Sequence, residues 1–455
     1  MELRERIRNG CMTGLQFRVV LICCFLAVLE GYEIIVMAFV APTLATEWSL
    51  NSAAVGLLFS AGLLGMAIGA TFLGGLADRI GRRNHILGCL LFGSLGMALT
   101  GMATDMTALV AFRAFAGIWL GAIVPSLNTL VSEFAPDRRR GTVMGIFGVG
   151  LPLGGLVGGL ATGLLIETWG WHGPFFFTAL LSMIMFLVVF FFLPESVEFL
   201  ITKRPAGALH KYNRIAGQLG LPISRELPEI EVVDEGRSGI GVIFSGVYLR
   251  RTIFLWVGYV LLIATFYFAN SWTPTLVAQA TGNAADGRLV GSVTGVGGIL
   301  GSLGFAALSA RINPRLVIAG LMALGLPTFF AFAALFDTGW AMLATIFVGM
   351  VTAGGVVAFN AIIPHTYPTA VRGAAVGLIT GLGRIVAILV PLLMGYWFAA
   401  GASPVLTFQL YGFVVLLAGI CVFVLHRTYP SRDAAPAEDF SSIEPEQTQG
   451  LRIKS

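Results

Sequence analysis

Long apolar runs separated by short polar segments fill the chain from residue 19 to residue 426. They fall at 19–44, 53–76, 85–103, 107–131, 142–166, 174–193, 252–278, 289–309, 316–336, 340–363, 373–397 and 404–426. A bilayer core about 30 Å thick is crossed by about 20 helical residues. The pattern therefore predicts an all-α membrane protein with twelve transmembrane helices. The first apolar run is too long for a cleaved signal sequence and has no clear small-residue cleavage site. Residues 1–18 are expected to be a cytoplasmic lead-in to the first helix. The longest polar segment, 195–250, separates two groups of six helices, 19–194 and 251–426, and is expected to hold one short amphipathic helix. The tail, 427–455, is rich in Pro, Ser and Glu and is expected to be disordered.

Composition agrees with this pattern. Hydrophobic residues make up 56% of the chain and charged residues 11%, against about 25% charged in an average soluble domain. With both termini cytoplasmic, all but three of the 28 Lys and Arg residues fall in the termini and inner loops. The exceptions are Arg288 in an outer loop and Arg113 and Arg384 inside helices. This bias obeys the positive-inside rule. The net charge of +4 and clusters such as PDRRRG (136–141) then need no nucleic acid to explain them. The five cysteines show no metal-ligand spacing and read as plain thiols. No nucleotide, metalloprotease or hydrolase motif is present, so neither an enzyme nor a primary pump is expected, and no cofactor.

The two groups of helices are related in sequence. PDRRRGTVMG (136–145) and PTAVRGAAVG (368–377) share P-x3-R-G-x3-G at an offset of 232 residues. The same offset pairs Asn128 with Asn360, Arg79 with Arg311 and Arg83 with Arg315. Parallel six-helix repeats with a site between them near the midplane are a transporter architecture.

GGLADRIGRR (74–83), RAFAGIWLGA (113–122), EFAPDRRRG (133–141) and LPES (193–196) resemble motifs of the major facilitator superfamily. The likeness runs from about residue 17 to residue 426. Within that superfamily, three stretches resemble the aromatic acid:proton symporters. They are the acidic-Gly-x-acidic motif Glu30–Glu33, GVGLPLGGLVGG (148–159), and YPTAVRGAAVG…GLGRIVAILVPLL (367–393). The chain has glutamates where D-G-x-D is common, and Val356 and Val357 where many members carry a glutamine. The resemblance implies a monomeric, multi-pass inner-membrane symporter importing a small organic acid anion with protons by alternating access. It also implies a conformational latch made of Gly74, Asp78, Arg79, Gly81, Arg82 and Arg83, joined by Glu133, Arg140 and Arg372. A proton-coupled drug exporter of the same fold is the alternative. Exporters often carry G-P-x-x-G-G in helix five, where this chain reads LPLGG (151–155).

Four charges lie inside predicted helices. A carboxylate at the centre of a membrane helix costs about 2.5–3.5 kcal/mol on the insertion scale, and this chain places Glu30 and Glu33 one turn apart on one helix face. At offset 232, Glu30, Glu33, Arg113 and Arg384 face Leu262, Thr265, Thr345 and Pro152, none ionisable. Motifs that build the scaffold repeat; these charges do not. At a rise of about 1.5 Å per residue, Glu30 and Arg384 both lie roughly 18 Å past the inner-boundary arginines Arg18 and Arg372. Paired carboxylates in a low-dielectric cavity disfavour double ionisation, so one is expected to carry a proton. An arginine fork suits a carboxylate, with Arg384 and then Arg113 as the candidate receptors. The alternative is static Glu–Arg pairing that serves insertion alone. Asn270, Trp272 and Tyr267 on helix seven and Asn360 on helix ten are candidate cavity residues by resemblance, and equally candidates for helix–helix contacts. His365, the repeat partner of Glu133, fits either a gate or a solvated loop.

Overall fold

The computed structural model describes residues 3–228 and 240–429. Within them all regular secondary structure is helical. Before the loop the helices are α1 (Leu3–Asn9), α2 (Gly14–Glu47), α3 (Ser52–Ile68), α4 (Arg82–Gly101), α5 (Met106–Phe134), α6 (Arg140–Trp169) and α7 (Gly173–Phe192). The central segment forms α8 (Val197–Lys203) and α9 (Ala208–Gln218). After it come α10 (Gly246–Thr281), α11 (Ala284–Ser309), α12 (Pro314–Ala323), α13 (Gly325–Leu335), α14 (Ala341–Ile362), α15 (Thr369–Ala399) and α16 (Pro404–Arg427). Among the described residues, eleven helical stretches are long and apolar enough to cross a membrane. One of them, Asp137–Phe192, is 56 residues long and contains both α6 and α7.

Local chemistry fixes the ends. Thr13 caps α2 with a capping box: its backbone N–H donates to Gln16 Oε1 at 3.0 Å and its hydroxyl accepts from the Gln16 N–H. Gln16 is fully buried and its amide donates to the carbonyls of Ile7 and Phe134, tying α1 and α5 to the start of α2. Gly81, at φ 96°, allows the reversal between the turn at 77–80 and α4.

The sequence repeat is also a structural one. Gly14 and Gly246, Ser52 and Ala284, and Arg82 and Pro314, each 232 residues apart, start equivalent helices. So are the tight contacts. A Cβ on Gly65 or Gly117 would collide with a backbone carbonyl across the α3–α5 seam, and one on Gly297 or Gly349 would do so across α11–α14. Small residues at such seams let membrane helices approach closely.

Residues 1–18 hold α1 and the start of α2; Leu3 and Ile7 are buried and Arg4 is bound to Glu198. Two sequence expectations need correction. The central segment holds two short helices rather than one, because Gly207 at φ 72° breaks the path between them. Arg288 lies in α11 rather than in a loop, in electrostatic reach of Glu167 on α6. The tail from residue 430 and loop residues 229–239 lie outside the described residues.

The halves meet mainly through α3 against α15 and α6 against α11. Contacts run from Gly395 against Ser52, through Ser60 donating to the Ile388 carbonyl at 2.8 Å, to Arg384 against Met66. All lie on the side away from the arginine-rich loops. At the basic end, Gly141 and Gly145 of α6 and Gly373 and Gly377 of α15 have open space where a side chain would be. The bundle is thus closed at one end and parted at the basic end.

Candidate functional site

Glu30 and Glu33 project from α2 and are 5% and 3% exposed. Both line a small cavity inside the first half, together with Cys89, Trp119 and Ser182. Ser182 Oγ of α7 donates to Glu33 Oε1 at 2.8 Å. Arg113 of α5 is 4% exposed, packed against Gly62, with Nη1 3.6 Å from Met97 Sδ and its guanidinium 5.9 Å from the centre of the Phe175 ring.

Arg384 of α15 comes from the other half. Its Nη1 donates to the Met66 carbonyl of α3 at 3.1 Å. It lies in electrostatic reach of Glu30 and of the ring hydroxyls of Tyr259 and Tyr267. Glu30 in turn faces Glu33, and Glu33 faces Arg113. The four charges thus form a line, Arg384, Glu30, Glu33, Arg113, running from the seam between the halves into the first half. Among the described residues, no arginine in the line closes on a glutamate within the 4.0 Å of an ion pair.

The other candidates divide. Tyr267 joins the line near Glu30. Asn270 Nδ2 donates to the Phe266 carbonyl of its own helix, and Asn360 is exposed on α14. Trp272 is fully buried, donating to the Pro391 carbonyl at 3.1 Å and packed edge-on against Phe59. It is a packing element of the closed end in this conformation.

At the basic end, Arg82 pairs with Asp78 at 3.1 Å and lies 3.9 Å from Glu133. Glu195 Oε1 accepts the backbone N–H of Arg83 at 3.1 Å and that of Ser196 at 2.9 Å, and a Cβ on Gly81 would meet its carboxylate. Arg140 pairs with Asp137 at 2.6 Å, while still lining a cavity of ≈ 190 Å³ with Glu133, Arg4 and Glu198. Arg79 and Gly75 face solvent or open space, and a Cβ on Gly74 would meet Pro125. Arg372, in the second half, has a buried Nε with no hydrogen-bond partner. The network therefore lies within the first half here. Sequence reasoning missed Ser182, Glu195 and the Met66 carbonyl. Only Glu195 left a trace, in the LPES stretch.

Comparison with known proteins places the chain in a family. The model of the Major Facilitator Superfamily matches residues 21–391 and 255–452. The chain is 33% identical over 396 residues to the 4-hydroxybenzoate transporter PcaK of Pseudomonas putida, covering 86% of this chain and 88% of that protein. It is 29% identical to the gallate transporter of Pseudomonas putida, covering 93% and 94%, and 28% identical to the gentisate transporter of Corynebacterium glutamicum, covering 91% and 89%. Two solved structures share the fold. The inward-open xylose transporter XylE from E. coli gives a TM-score of 0.68 at 17% identity, covering 90% of this chain and 95% of that one. A bacterial homologue of the lysosomal transporter Spinster, inward-facing and occupied, gives 0.68 at 16%, covering 92% and 98%. The chain is a multi-pass membrane transporter, not an enzyme, and belongs to the Major Facilitator Superfamily.

Proposed function

We propose that this protein imports an aromatic carboxylate together with a proton, by alternating access, as a monomer. The observation that carries the reading is the line of two arginines and two glutamates, Arg384 half-buried and the other three buried, with no closed ion pair. Fully ionised, the line is neutral. A carboxylate bound at Arg384 leaves one uncompensated negative charge, and a proton on a glutamate removes it. An uncompensated buried charge costs several kcal/mol, so anion and proton each favour the other's binding. Glu30 and Glu33 are the proposed proton site and Arg384 the proposed carboxylate receptor. Arg113 orients Glu33, and Tyr267, Asn270 and Asn360 border the path of the ring. Trp272 belongs to the substrate site only when the closed end opens.

The relatives support the choice of cargo: 4-hydroxybenzoate, gallate and gentisate are all ring carboxylates, unlike the lipophilic cations a drug exporter would carry. The proposed topology has twelve spans, with α6 and α7 counted separately, and α12 with α13 forming one. The halves are 19–194 and 251–426, and the basic loops and both termini are cytoplasmic. The basic end is then open inward, and the latch around Asp78 engages the second half, Arg372 included, when that end closes.

Uptake of radiolabelled 4-hydroxybenzoate, gallate, gentisate and benzoate into expressing cells tests this. At least one should accumulate, and a protonophore should abolish the accumulation. No uptake of any of the four, or accumulation indifferent to the protonophore, would overturn the reading.

A further inference from the structure

The first half contains a polar column between the acid pair and the basic end that the second half lacks. The cavity shared by Glu30 and Glu33 measures ≈ 20 Å³ and reaches Cys89. That is room for about one water. Cys89 Sγ lies 3.8 Å from Nε2 of His85, one turn nearer the basic end. His85 is 3% exposed, and its Nδ1 is 2.8 Å from Ser126 Oγ of α5. The Leu73 carbonyl, at the end of a single π-helical turn that interrupts the α3 span, and the charge of Asp78 lie in electrostatic reach of the ring. The Asp78 side chain is 66% exposed. A nearly continuous run of polar groups thus joins the acid pair to solvent without entering the space between the halves.

A buried histidine held by a serine is often only packing. The repeat argues otherwise here. At offset 232, Asp78, His85, Cys89 and Ser126 face Ala310, Val317, Leu321 and Ala358, and Glu30 faces Leu262. The second half packs the equivalent helices, α12 against α14, with Val317, Leu321 and Ala358 where the first half has His85, Cys89 and Ser126. The fold therefore does not require the polar column, and it occurs only in the half that holds the acids.

We infer that the proton leaves the acid pair through the interior of the first half, by way of the cavity water and His85. A glutamic acid O–H gives its proton to the water, which passes one of its own to Cys89 Sγ as the thiol's S–H proton moves to His85 Nε2. The imidazolium then gives up its Nδ1 proton toward Ser126 and Asp78, and Asp78 delivers it to solvent. The glutamate is left ionised, and a tautomer exchange resets the ring.

The inference rests on Glu30 and Glu33 being the proton site, and one experiment separates the two claims. Time-resolved infrared spectroscopy of the purified protein after a pH jump follows loss of the carboxylic acid C=O stretch and needs no substrate. A band that vanishes in Glu30→Gln/Glu33→Gln establishes the proton site; its absence from the wild-type protein would defeat that parent claim. With the band present, His85→Val and Cys89→Leu should slow its decay at least tenfold. These variants install the residues that the second half already packs at those positions. An unchanged decay rate in both would overturn the route and send the proton through the gap between the halves.

Discussion

Arg384 spends Nη1 on a backbone carbonyl and no nitrogen on a carboxylate within ion-pair distance, which leaves the Nε–Nη2 edge of its planar fork for an anion. Geometry should then matter more than charge, because lysine offers a point charge and no fork. Arg384→Lys is expected to weaken binding of the transported acid at least tenfold, about 1.4 kcal/mol, in an isotherm on purified protein. Near-native affinity would move the carboxylate to another receptor, with Arg113 next in line. The double variant Glu30→Gln/Glu33→Gln is expected to lose gradient-driven accumulation while keeping exchange of labelled for unlabelled substrate, since glutamine mimics the protonated acid. Undiminished accumulation in that variant would rule the pair out as the proton site. These four charges were legible in the sequence because ionised groups in hydrocarbon need a reason to be there. Their partners were not. Ser182 and His85 are ordinary residues in sequence, and only helix packing brings the one to Glu33 and the other beside the acid cavity.

Glycines divide the helices into two classes. Gly65, Gly117, Gly297 and Gly349 sit where helices touch, while Gly141, Gly145, Gly373 and Gly377 meet open space at the parted end. Both classes recur at the 232-residue offset, so both belong to the scaffold. The second class has no contact here and is expected to make its contacts when the basic end closes. Gly145→Val and Gly377→Val should therefore leave the thermal stability of the purified protein close to wild type and still abolish transport. Gly117→Val, against a backbone carbonyl, should lower thermal stability outright. Equal loss of stability in all three would show that the first two positions are already packed in this conformation. The helices themselves were legible from hydropathy to within a few residues at most ends. α1 and the division of the central segment were not, since seven-residue helices with mixed polarity leave little periodicity to read.

For the molecule as a whole, the neutral line of charges fixes the expected coupling. One proton with one monoanion carries no net charge, so the membrane potential, worth about 2.3 kcal/mol per charge per 100 mV, should not drive it. Two protons per monoanion would add that drive and would use both glutamates as carriers. The two arginines, one toward each end of the line, favour keeping the second glutamate ionised throughout the cycle. The repeat, the basic loops and the family likeness were all legible in the sequence, because each is a pattern of residue identity. Which end is parted was not, because both conformations must be built from the same sequence. The most direct test of proton-coupled anion transport is accumulation of the identified acid by purified protein in proteoliposomes under separately imposed gradients. A pH gradient, acidic outside and clamped at zero potential, should drive concentrative uptake, and a potential imposed at equal pH should drive little. Strong accumulation driven by potential alone, or none driven by the pH gradient, would contradict the account.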